Sequence, residues 1–424
     1  MNIAEALSYI HSTSWKGSVP GLSRTLELLR RMGDPHKQLK FIHIVGTNGK
    51  GSTAAMLDSV LRAAGYRTGL YTSPYIFRFN ERMQAEGCPI SDEELAEITE
   101  FVRPHADAME DKPTEFELIT AIALEFFRRR QLDLVVLEAG MGGELDSTNV
   151  IPAPEAAVMC NIGLDHTEQL GHTLEAIAKT KAGVIKAGCD CILYPSTPGV
   201  EAVVREVCRE VGAPLTLADF DRLQPLCRDL SGQEFLWDGR CQLKISLLGE
   251  HQRCNTAVVL TVLEVLQKRG WVIPEESIRA GLAGASWPGR FQVIRQEPLF
   301  LVDGGHNPQC MAALVKNIED YLPCTDLTVL TGVMADKDRG DMFRPLLPYT
   351  ARFVTVTPDN PRALSAQALA EYLRELGAQA EAFPSVAEGV AAAIARAREH
   401  GGAVLACGSL YMVGDVVAAA TKES

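Results

Sequence analysis

The sequence predicts an α/β protein of two domains, on three observations. Short apolar, β-branched runs alternate with amphipathic stretches, the pattern of a parallel sheet covered on both faces. That alternation breaks at Ala283–Arg290, where glycine, tryptophan and proline interrupt any helix, and then resumes. The 424 residues also exceed what one domain usually holds, at roughly 100–200 residues each.

In chain order, the first strands are expected at Phe41–Val45, Thr68–Tyr71, Leu132–Leu137, Ala156–Cys160 and Cys191–Tyr194. A helix is expected over Thr53–Ala64, where Leu57, Val60, Leu61 and Ala64 recur at helical spacing and Gly65 offers a left-handed stop. The polar stretch Asp219–Arg240, with Gly232 and Gly239, reads as hairpin or loop closing the first domain. Beyond the break, strands at Leu299–Val302, Leu327–Leu330, Phe353–Thr357 and Val404–Ala406 alternate with helices at Met311–Tyr321 and Ala366–Leu376. The domains are therefore placed at 1–286 and 287–424, the second a smaller, Rossmann-like α/β unit.

Composition narrows the function. Hydrophobic residues make up 46% and charged residues 22%, an ordinary globular mix. A net charge of −13 argues against a nucleic-acid partner, which needs a basic face to neutralise phosphates. No apolar run approaches the roughly 18–20 residues of a membrane span, and Met1–Glu5 lacks the basic-then-apolar plan of a signal peptide. No membrane partner and a cytoplasmic location are expected. The 11 cysteines include no C-x-x-C pair, so neither a disulfide framework nor a zinc knuckle is expected.

The most informative segment is Gly46-Thr47-Asn48-Gly49-Lys50-Gly51-Ser52-Thr53, between an apolar strand and an amphipathic helix. Glycines let successive backbone N–H groups face one anion, the helix start adds partial positive charge, and Lys50 can reach β- and γ-phosphates. Ser52 or Thr53 can bind Mg²⁺. Gly51 stands between the lysine and the hydroxyl, so this is a variant of the usual phosphate loop, and the first domain reads as P-loop NTPase-like. The other glycine-rich segment, Gly140–Leu145, has leucine where a dinucleotide fingerprint needs its third glycine, which argues against hydride chemistry.

Strand ends supply the acids. Glu138 ends an apolar strand, where open α/β sheets present ligands, and is a candidate Mg²⁺ ligand or a solvent-facing acid. Asp165 and His166 follow a second strand, and His166 reads as either a ligand or a structural histidine. Taken alone, Lys181 reads as a solvated cation near a helix end.

Together, Gly46–Ser52, Thr72-Ser73-Pro74 with Arg78–Arg82, Glu138–Gly143 with Asp146–Asn149, Leu164–His166, Gly249–Gln252 with Asn255, Pro288–Arg290 and Asp303–Pro308 resemble folylpolyglutamate synthase and dihydrofolate synthase of the Mur ligase superfamily. The motifs occur in order across nearly the whole chain. The resemblance implies that ATP phosphorylates a carboxylate of a folate and that L-glutamate then attacks the acyl phosphate. It assigns Ser52, Glu138 and His166 to Mg²⁺, and the Gly46–Thr53 loop, Asn255, Arg290 and Asp303 to ATP. Lys50, Lys181 and His166 are the implied catalytic side chains, Lys181 as a carbamate.

Ser73, Arg82 and Asp146 are implied on the folate side, and His306 and Ser409 on the glutamate side. A monomer is implied, as is tetrahydrofolate as acceptor, with dihydropteroate a second acceptor left open. Gly305, Ala139 and Met141 depart from the commoner residues without removing a chemical group. Competing readings are another Mur-type amino-acid ligase, or a P-loop NTPase that hydrolyses nucleotide without ligation.

Overall fold

A computed structural model describes residues 1–17, 19–323, 325–335 and 339–422. The chain divides into two compact units: Met1–Gln224 with Leu236–Leu243 and Cys254–Ala285, and Pro225–Phe235 with Lys244–Arg253 and Ser286–Ser424.

The first unit is organised by an eight-stranded sheet. Its strands are β1 Phe41–Val45, β2 Thr68–Tyr71, β3 Met83–Ala85, β4 Cys88–Pro89, β5 Leu134–Glu138, β6 Ala156–Met159, β7 Asp190–Leu193 and β8 Leu215–Leu217, in the order β4-β3-β2-β5-β1-β6-β7-β8. Strand β1 is central, buried along its length, and pairs parallel with β5 (Ile44 opposite Glu138) and with β6 (Val45 opposite Met159). Parallel strands covered on both faces read as continuous apolar runs, which is why β1, β5 and β6 were visible in the sequence. One apolar cluster packs Phe41, Tyr71, Val135 and Leu137 against Leu118, Ile122 and Phe126. Another packs Val45, Ala157 and Met159 against Ile177, Ala178 and Val204.

Two features differ from the sequence expectation, at β3–β4 and at the first helix, and a third, at Asp219–Arg240, takes the hairpin alternative. Strands β3 and β4 extend the sheet antiparallel from β2, too short to carry a hydrophobic pattern. The stretch Asp219–Arg240 contains two strands, β9 Leu223–Asp229 and β10 Gly232–Trp237, ordered with β11 Cys241–Ile245 as β11-β10-β9. The helix expected from Thr53 begins at Lys50 and runs to Ala63, with Gly49 as its left-handed N-cap.

The second unit carries β12 Gln292–Gln296, β13 Leu299–Val302, β14 Leu327–Thr331, β15 Thr350–Thr355, β16 Ala380–Ala382 and β17 Ala403–Cys407. They form one sheet in the order β12-β13-β17-β14-β15-β16, parallel except for the edge pair β12 and β13. Asn307 caps the helix Pro308–Tyr321, and Ser365 caps Ala366–Glu375. Among the described residues every cysteine is free, and no helix is long and apolar enough to cross a membrane.

The helix Lys50–Ala63 is buried from Gly51 to Leu61, so its first turn is held rigidly at the end of β1. Part of that grip comes from the helix Glu275–Gly284, whose Gly281 lies so close that a Cβ there would sit 2.3 Å from Val60 Cα. Ser59 Oγ donates to the Gly281 carbonyl at 2.7 Å. Because backbone cannot yield as a side-chain tip can, Gly281→Ala should destabilise the protein by about 1–3 kcal/mol, despite the better helix propensity of alanine. A lowered midpoint in chemical denaturation checks this, and an unchanged midpoint would show that the helices can separate freely.

Candidate active site

The loop after β1 turns within four residues. Gly46 passes close to β6, where an added Cβ would stand 2.7 Å from Cys160 Cβ. Gly49 has φ +87°, and an added Cβ would meet Asn255 Oδ1 at 2.6 Å. Asn255, buried in the helix Glu250–Lys268, thus packs its amide against the turn. Thr47 is fixed to the loop after β6: its N–H donates to the Asn161 carbonyl at 2.8 Å and its hydroxyl to the Gly163 carbonyl at 2.9 Å. The first N–H groups of the helix Lys50–Ala63 lack an intrahelical partner by geometry, and Gly49 supplies no side-chain cap, which suits that end to an anion.

Two lysines converge on one carbonyl. Lys50 Nζ donates to Gly46 O at 3.0 Å and to Thr47 O at 3.3 Å, and Lys181 Nζ donates to Gly46 O at 2.9 Å. Lys181 lies in the helix Leu174–Ala182 and is buried, so the reading of a solvated cation does not hold. Burial, reinforced by the charge on Lys50, lowers its pKa to about 7, although Asp146 and Asp165 pull the other way.

Glu138 ends β5 and is buried rather than solvent-facing. Its Oε1 is 4.0 Å from Lys50 Nζ, and its Oε2 accepts from the Ser73 N–H at 3.3 Å. Ser52 is buried in the first turn of the helix. His166 is exposed, with φ +49°, at the N-cap of the short helix Thr167–Leu170. Among the described residues no group of three or more His, Cys, Asp or Glu is placed to hold a metal ion. The hard oxygens of Ser52 and Glu138 nevertheless fit Mg²⁺, which binds through one or two carboxylates and completes its shell with phosphates and water.

Beside these residues the first unit holds a cavity of about 450 Å³, whose lining includes Ser73, Arg82, Phe116, Met141, Leu145 and Asp146. Arg82 Nη1 donates to Ser73 Oγ at 3.2 Å, and its guanidinium lies 5.3 Å from the Tyr75 ring centre and 5.7 Å from that of Phe79. Its buried Nε has no hydrogen-bond partner among the described residues. Asp146 is buried, and burial raises its pKa against the lowering effect of hydrogen bonds from Met141, Thr148 and Gly140. The sequence reading did not single out Phe116 or Glu117. Their stretch, Thr114–Glu117, reads only as a helix start, and a capping box between Thr114 and Glu117 forms there.

The remaining candidates lie in the second unit. Asp303 follows β13 and accepts from the Phe291 N–H at 2.9 Å and the Gly305 N–H at 2.7 Å. His306 Nδ1 is 3.0 Å from Gly304 O, and Ser409 Oγ accepts from the Tyr411 N–H at 3.2 Å. His251, not among the sequence candidates, joins this group: burial lowers its pKa, Asp303 opposes that, and Arg290 adds to it.

Comparison with known proteins matches residues 44–263 to the Mur ligase middle domain and residues 289–410 to the Mur ligase glutamate ligase domain. A folylpolyglutamate synthase of Lacticaseibacillus casei is 39% identical over 379 residues, covering 86% of this chain and 87% of its own. A dihydrofolate synthase/folylpolyglutamate synthase of Bacillus subtilis is 36% identical over 381 residues, with the same coverage. Among solved structures, Escherichia coli FolC in complex with DHPP and ADP superposes with a TM-score of 0.87 at 30% identity, covering 100% of this chain and 98% of that one.

The turn at Gly49 gives a direct test of the phosphate loop. Alanine there would adopt an unfavourable left-handed conformation and press on Asn255, together costing about 1–3 kcal/mol locally. Gly49→Ala should therefore weaken ATP binding by roughly tenfold or more, measured by calorimetry on the intact protein. Unchanged affinity would mean that this turn does not hold the nucleotide.

Proposed function

The chain belongs to the folylpolyglutamate synthase and dihydrofolate synthase family of Mur ligases, and from that premise we propose that it joins L-glutamate to a reduced folate, with dihydropteroate as a second acceptor. A carboxylate oxygen of the acceptor attacks the γ-phosphorus of ATP, and ADP leaves. The amine of glutamate then attacks the acyl carbon, phosphate leaves, and one proton is released as the amide forms.

The observation that carries this reading is a continuous path in one unit from phosphate loop to acceptor cavity. Lys50 lies 4.0 Å from Glu138, Glu138 accepts from Ser73, and Ser73 lines the cavity beside Arg82. A carboxylate and a triphosphate repel, so positive groups must already be in place where they meet. The amides at the start of the helix Lys50–Ala63 and Lys50 serve the phosphates, with Asn255 bracing the turn and the Thr47 N–H anchoring it to Asn161. Arg82, with a buried N–H available, serves the acceptor carboxylate. Ser52 and Glu138 would hold Mg²⁺, with His166 at a second ion. When bound, Mg²⁺ neutralises charge developing on the phosphate oxygens.

The cavity wall of Phe116 and Met141 suits the flat pteroyl group, and the carboxylate of Asp146 suits an N–H donor of a pterin ring. Arg290 and Asp303 are assigned to the nucleotide, and His306 and Ser409 to glutamate. The first domain, 1–286, would thus carry the phosphate loop and the folate site, and the second, 287–424, the glutamate residues together with Arg290 and Asp303.

The test is an ATPase assay coupled to product analysis, with each substrate omitted in turn. ADP release is expected only with acceptor, glutamate and ATP together, giving one amide per ADP, with tetrahydrofolate and dihydropteroate each accepted. Phosphate release without an acceptor or glutamate would establish a nucleotide hydrolase instead.

Lys181 is assigned as a carbamate. A buried amine with a pKa near 7 is largely neutral at about pH 8, and the neutral amine is the form that attacks CO₂, releasing one proton. The product is an anion, which removes the repulsion between two ammonium groups that share the Gly46 carbonyl. Protein incubated with ¹³C-bicarbonate at about pH 8 should show one carbamate resonance that is absent in Lys181→Ala and fades as the pH falls below about 7. Full activity with an unmodified amine would refute the assignment.

A further inference from the structure

We propose that His43 and Thr148 are positioning residues for the acceptor site, forming a one-way hydrogen-bond relay that aims the Asp146 carboxylate at the pterin ring. The proposal rests on the cavity beside Asp146 being the pteroate site.

His43 stands mid-strand in β1, where all five residues are buried, a position that ordinarily favours an apolar side chain. Its Nε2 lies 2.8 Å from Thr148 Oγ1, and Thr148 Oγ1 donates to Asp146 Oδ1 at 2.5 Å. Threonine has one hydroxyl proton, and that proton is committed to Asp146. His43 Nε2 must therefore carry its own proton and donate. His43 Nδ1 is then a bare acceptor, and it has no partner among the described residues. Burial holds the imidazole neutral by driving its pKa to about 3, so Nδ1 stays unprotonated at any working pH.

Every proton in the chain points toward Asp146. The Thr148 N–H adds a second bond to Oδ1 at 3.0 Å, and the Met141 N–H donates to Oδ2 at 2.8 Å. Oδ1 is thus occupied by the relay, while Oδ2 keeps acceptor capacity for a ligand in the cavity that Asp146 lines. The donors also oppose the effect of burial, which favours a protonated carboxyl. A protonated Asp146 would be a weaker acceptor for the pterin N–H that approaches Oδ2.

Steady-state kinetics on the intact enzyme with dihydropteroate or tetrahydrofolate test this. Thr148→Val keeps the shape and removes the relay. It should raise KM for the acceptor at least tenfold, by more than it lowers kcat, with KM for ATP within twofold, and Thr148→Ser should restore KM to within threefold. His43→Leu should act in the same direction, and His43→Gln, whose amide can donate, should recover part of the loss. If Thr148→Val does not fold, the His43 pair decides by the same criterion. An unchanged acceptor KM, a parallel rise in both KM values, or no rescue by serine would overturn the relay. Asp146→Asn separates the two levels of argument. If it leaves acceptor KM unchanged, the pteroate reading of the cavity falls; if it raises acceptor KM while Thr148→Val does not, only the relay falls.

Discussion

The structure depends on how closely neighbouring residues press on the backbone where β1 gives way to the helix Lys50–Ala63. Cys160 crowds one side of the turn and Asn255 the other, so neither Gly46 nor Gly49 has room for a side chain. That crowding is what lets main-chain N–H groups, rather than flexible side chains, define an anion site. A site built from backbone is preorganised, because its donors are fixed by the sheet and the buried helix before any ligand arrives. The Gly46 and Thr47 carbonyls of the same turn are taken up by Lys50 and Lys181.

Burial then determines what each ionisable group near the turn can be. Glu138 is buried yet has Lys50 and a backbone N–H as partners, so its charge is compensated. Lys181 is buried with a second cation nearby, and its ammonium form is disfavoured. Asp146 is buried with several donors, which partly offset the loss of water. The same unit therefore hosts an acid partnered by a cation and an N–H, an amine whose ammonium form burial disfavours, and an acid whose hydrogen bonds oppose its burial, each set by its immediate partners.

Much of this was legible in the sequence, and the rest was not, for identifiable reasons. The central strands showed as apolar runs because both faces are covered, and the phosphate loop showed because glycine, lysine and hydroxyl occur together between a strand and a helix. The helix start was read three residues late because Lys50, Gly51 and Ser52 carry no apolar periodicity, although the fold buries Gly51 and Ser52. Strand β9 is exposed at six of its seven positions, so no alternation marked it. Lys181 looked solvated because a cation near a helix end has the same local sequence whether it faces water or a neighbouring loop. His43 was missed, and Thr148 and His251, although inside the Asp146–Asn149 and Gly249–Gln252 motifs, carried no assigned role, for a related reason: the interactions His43–Thr148 and His251–Asp303 join residues distant in the chain.

The segment from Glu138 to Asp146 shows why local motifs mislead when read for one purpose. Its glycines resemble an incomplete dinucleotide fingerprint, but they serve packing. A Cβ at Gly143 would lie 2.6 Å from the Lys181 carbonyl oxygen, and one at Gly140 would lie 2.5 Å from the Phe116 ring. The segment is thereby pressed between the helix that carries Lys181 and the helix that carries Phe116. Its first residue reaches the phosphate loop and its last reaches the acceptor cavity. In the proposed reading, a shift of either helix would move both ends together, so the placement of phosphate and acceptor would follow one short piece of backbone. Acyl phosphate formation needs that coupling, because in-line attack fails when the two reactants are positioned independently and misaligned by as little as about 1 Å.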